Sequence, residues 1–62
     1  MGNKIIAQAH LGRYEARVEK SEYKAVLHIN SRDEVSIEVT YEFLMILEKL
    51  INDALDNWGE TI

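Results

Sequence analysis

The stretch Val35-Ser36-Ile37-Glu38-Val39-Thr40-Tyr41-Glu42-Phe43-Leu44-Met45-Ile46-Leu47 contains a change of hydrophobic period. Up to Val39 the apolar side chains fall on alternate positions, the spacing of a strand with one buried face. Beyond Thr40 they recur every three or four residues, at Phe43, Leu44, Leu47, Leu50, Ile51, Ala54, Leu55 and Trp58, which is the spacing of an amphipathic helix. Thr40 stands at the junction as the expected N-cap, and Glu42 lies in the first turn, where the helix dipole favours a negative charge. Gly59 sits where a left-handed cap would end a helix running from about Tyr41 to about Trp58.

Toward the N-terminus the alternation continues through Ile5, Ala7, Ala9 and Leu11, then Tyr14, Ala16 and Val18, then Tyr23, Ala25, Leu27 and Ile29. A three-residue loop at Ser31-Arg32-Asp33 sets Ile29 opposite Val35, Leu27 opposite Ile37 and Ala25 opposite Val39, so that one sheet face stays apolar. A two-residue loop at Lys20-Ser21 does the same one hairpin earlier, with Val18 opposite Tyr23, Ala16 opposite Ala25 and Tyr14 opposite Leu27. Gly12 is either part of a type II′ turn with Arg13, giving four short strands, or a bend in one continuous strand, giving three long ones. The absence of Asn or Asp beside it favours the bend. The predicted fold is thus α+β over residues 1–62: a small antiparallel β-meander followed by one C-terminal amphipathic helix packed on one sheet face.

A chain of 62 residues buries only about 60% of its unfolded surface, and this one has neither Cys nor Pro to compensate. Sharing a hydrophobic face with a second copy is the remaining route to stability, so a homodimer is expected. The longest apolar run, Phe43 to Leu47, is far too short for a membrane span. The N-terminus lacks a signal-peptide core, and Ile6 stands where a myristoylation signal needs Ser or Thr, so a cytoplasmic location is expected. The net charge of −4 is unevenly spread. Residues 1–34 hold six Lys/Arg against five Asp/Glu, whereas residues 35–62 hold Lys49 alone against six acids.

No residue pattern points to catalysis. His10 and His28 share the polar parity of their strands and could meet across the sheet with Glu15 nearby, but they bring no third metal ligand. Ser21 and Ser31 belong to turns, and three scattered glycines make no phosphate loop. No enzyme activity, cofactor or metal is expected. Three non-enzymatic readings remain. Met45 projects about 160° from Leu47, at the centre of the apolar stripe, and with Tyr41, Ile46 and Lys49 it forms a second patch suited to a partner or dimer contact. This patch makes a small protein-interaction module (regulator, adaptor or inhibitor) the leading expectation. The carboxylates Glu42, Glu48, Asp53 and Asp56 could instead imitate a nucleic-acid backbone and occupy the groove of a DNA- or RNA-binding protein. Arg13, Arg17, Lys24 and Arg32 would be the basis of an RNA-binding sheet, which their interleaving with Glu15, Glu19 and Glu22 disfavours. Ile6 and Val26 also fall on this otherwise polar face.

Overall fold

The computed structural model describes residues 2–60. Four antiparallel strands, β1 (Lys4–Leu11), β2 (Tyr14–Lys20), β3 (Ala25–Asn30) and β4 (Glu34–Val39), lie in sequence order in one sheet, and α1 (Tyr41–Asp56) follows. The α+β class, the meander and the single C-terminal helix are as the sequence predicts.

The β3–β4 pairing is the expected one: Ile29 faces Val35, Leu27 faces Ile37 and Ala25 faces Val39. The β2–β3 pairing is not. Val18 faces Leu27 and Ala16 faces Ile29, so the turn takes in Ser21 to Lys24, and Tyr23 lies outside the sheet. Both registers keep the apolar face intact, because a slip by an even number of residues conserves facing. Turn chemistry decides between them. The Ser21 hydroxyl accepts from the amides of Tyr23 and Lys24, each at 3.4 Å, and the Ser21 amide donates to the Lys24 carbonyl at 2.8 Å.

Gly12 is a turn rather than a bend. Leu11 pairs with Tyr14 across Gly12-Arg13, and Gly12 has φ +60, the left-handed region that a two-residue hairpin needs at its first central position. Backbone handedness outweighs the missing Asn or Asp. A Cβ at Gly12 would meet nothing within 4 Å, so Gly12→Ala isolates the backbone term. It is expected to lower stability by about 1–2 kcal/mol, read as a lower denaturant midpoint with unchanged slope.

The bend lies instead in β1, where the register shifts between Ile5 and Ala7 and leaves Ile6 as the extra residue. Ile5 therefore stands opposite Glu19, in line with Val26 and Glu38, on the face opposite to the one its alternation predicted.

The helix begins as predicted, with Thr40 extended and its Oγ1 accepting from the Phe43 amide at 3.1 Å. It ends two residues earlier than expected. Asn57 closes it, its side-chain amide donating to the Asp53 carbonyl at 2.9 Å, while Gly59 does not adopt a left-handed conformation. An amide side chain close to the last carbonyls does the work assigned to a glycine cap.

The larger departure is in packing. The helix does not lie on the sheet of its own chain: each strand packs along its neighbour, but α1 makes no comparable contact with any strand and has no buried residue. The molecule is accordingly long and thin, 49 × 27 × 15 Å. Among the described residues only Val18 and Val39 form a buried apolar core, and in the helix only Leu44 and Leu47 reach intermediate burial. Thr40 alone joins strand to helix and is also the N-cap.

Candidate interaction surfaces

Three surfaces emerge from this arrangement: the apolar sheet face, the helix and the polar sheet face. The apolar face is built from cross-strand rows, Ala7–Val18–Leu27–Ile37 in the middle and Ala9–Ala16–Ile29–Val35 beyond it, with Leu11 and Tyr14 at the end farthest from the helix. That far end is open, with Leu11 80% and Tyr14 51% exposed. A shallow depression of about 310 Å³ lies there, lined by Ala9, Leu11, Tyr14, Ala16 and Ile29 together with polar rim residues.

The helix carries its stripe in the open as well, with Leu50, Ile51, Leu55 and Trp58 all more than half exposed. Tyr41, Met45 and Ile46 are also exposed, and Met45, Ile46, Lys49, Leu50 and Asp53 border an open groove. The patch anticipated from the sequence is therefore accessible, but in a single chain it is no more accessible than the stripe beside it. The four anticipated carboxylates are not gathered. At 100° per residue Glu42, Asp53 and Asp56 fall within an arc of about 60°. Lys49 lies inside that arc and donates to Asp53 at 3.0 Å, while Glu48 lies on the other flank of the stripe.

The polar face is organised around Arg17. Its Nε donates to Glu19 Oε2 at 3.0 Å, and its terminal nitrogens lie 3.9 Å from Glu15 and 3.9 Å from Glu34. Gln8 donates to the other oxygen of Glu15 at 2.6 Å. His28 sits 2.8 Å from the Ser36 hydroxyl and 3.4 Å from Glu19. An arginine bonded to one carboxylate and near two more presents little free charge to a phosphate. His10 and His28 do not come together, since β2 separates their strands and they stand in different rows, opposite Glu15 and Arg17 respectively. No group of three metal-ligating side chains occurs among the described residues.

Comparison with known proteins adds no assignment. No family model, curated protein or solved structure matches this chain. Among the described residues, no helix is long and apolar enough to cross a membrane.

The Arg17 hydrogen bond holds the Glu19 carboxyl below the usual carboxylate range, against the opposing effect of partial desolvation. A depressed folded-state pKa stabilises the fold above the unfolded-state value, and this contribution is lost as pH falls through the folded-state value. Glu19→Gln is therefore expected to flatten the acid limb of the stability curve while changing stability little with pH above that range. Denaturant midpoints measured across the acid limb check this.

Proposed function

We propose that this chain is a non-enzymatic protein-interaction module that works as a homodimer and binds a protein partner as a small regulator, adaptor or inhibitor. The observation that carries this reading is the amount of surface left uncovered. The chain exposes 5738 Å², whereas a compact monomer of its mass exposes about 4,100 Å². The excess, about 1,600 Å² per chain, corresponds to about 3,200 Å² for a pair, within the range of obligate homodimers. Exposed apolar side chains of the sheet face and of the helix stripe, such as Leu11, Leu50 and Leu55, contribute to it.

Self-association would use the sheet face and the helix stripe, leaving the opposite side of α1 for another protein. That side holds Tyr41, Met45, Ile46 and Lys49, an apolar centre with a charged edge, as recognition surfaces commonly have. Both charge-based alternatives are weakened by ion pairs within the chain: Lys49 with Asp53 against nucleic-acid mimicry, and Arg17 with its carboxylates against RNA binding. The absence of cysteine suits a reducing compartment such as the cytoplasm.

Light scattering combined with affinity capture from the native host at low and high salt tests the proposal. The expected result is a dimeric mass and a partner whose retention survives high salt but is lost on Met45→Ala. A monomeric mass at all concentrations, or a partner released by salt and indifferent to Met45→Ala, would overturn it.

A further inference from the structure

We infer that each helix lies across the sheet of a second copy, so that Trp58 of one chain fills the depression at the far end of the other chain's sheet. This rests on the homodimer reading and specifies its geometry.

Three observations choose a second copy's helix as the occupant. The first is connectivity. A one-residue link carries α1 away from its own sheet, with which it makes no strand-like packing contact, as a projecting arm. The second is dimension. From the Val39 row to the Tyr14 level the sheet face extends about 20 Å, six residues at strand rise. From Tyr41 to Asp56 the helix extends about 23 Å. A twofold axis near the two Val39–Thr40 junctions would start each helix at the near end of the opposite sheet. Its last apolar residue would then arrive at the far end.

The third is shape. The depression lined by Ala9, Leu11, Tyr14, Ala16 and Ile29, with His10, Glu15, Asn30 and Ser31, has a volume of about 310 Å³. Trp58, 79% exposed in the single chain, is the largest side chain on the stripe and lies beyond its last helical turn. Two sheets stacked face to face would leave both helix stripes uncovered. The reciprocal exchange covers all four apolar faces through one symmetric contact.

The chain has one tryptophan and no cysteine, so two site-specific readouts are open. In the unmodified protein, Trp58 emission should be blue-shifted and shielded from iodide at high concentration. On dilution it should turn red-shifted and quenchable, with the same midpoint as the loss of dimer mass. When Tyr14→Cys and Leu55→Cys chains of different tag length are mixed and oxidised mildly, the mixed disulfide should be the main cross-linked product. A dimer in which Trp58 stays quenchable and Tyr14→Cys pairs chiefly with itself would overturn the exchange while leaving the homodimer standing. A doubly substituted chain that closes its disulfide internally as a monomer would show the helix folded on its own sheet and overturn both readings.

Discussion

Ile51→Asp is expected to convert the protein from a species of twice 7.2 kDa to the single chain. Ile51 lies near the centre of the helix stripe and is 54% exposed in the isolated protomer. If α1 acted alone, the substitution would be a surface change worth a few tenths of a kcal/mol. In a dimer it is applied twice, and each copy forfeits about 0.8–1.5 kcal/mol of apolar transfer, for the exposed half of Ile51, before the desolvation of a carboxylate is counted. The combined loss of at least about 1.6–3 kcal/mol would raise the dimer dissociation constant by at least about 10–10²-fold. Sedimentation equilibrium measures it directly. Met45→Asp, on the opposite side of the same helix, is the matched control and should leave the mass unchanged.

The elements of this fold were more legible in its sequence than the contacts between them. The period change at Thr40 located the helix start and its cap to the residue, because one side chain fixes both. Apolar alternation and a three-residue loop gave the β3–β4 register correctly. The same alternation misplaced β2 against β3 by four residues, since parity repeats every two and the Ser21 hydroxyl bonds that select the turn leave no trace in hydrophobicity. Nor could alternation reveal the bulge at Ile6, which breaks it without an apolar gap.

The positions of the polar-face residues followed from parity, but their assembly around Arg17 did not. That assembly depends on which diagonal neighbours the β2–β3 register brings within reach. The helix stripe was legible but its packing was not: alternation and period placed it on the chain's own sheet, whereas in the structure it lies exposed. Amphipathicity states that an apolar face needs a partner and is silent on which molecule supplies it.

Thermal stability is expected to depend on protein concentration. An unfolded chain of this mass exposes about 10,400 Å², of which the isolated fold buries less than half, where about 60% is usual for a domain of this size. With Val18 and Val39 as its only buried apolar side chains among the described residues, a separated protomer has too little burial to offset the conformational entropy of ordering its chain. Dissociation and unfolding should therefore occur as one step, with association supplying most of the free energy of folding. A hundredfold dilution then removes about 2.7 kcal/mol per dimer by mass action, which for a two-chain unit of this size lowers Tm by about 10 °C. Circular dichroism melts across that concentration range provide the measurement. A Tm independent of concentration would mean that each chain holds itself together, and the exposed stripe of α1 would then have no structural role in the free protein.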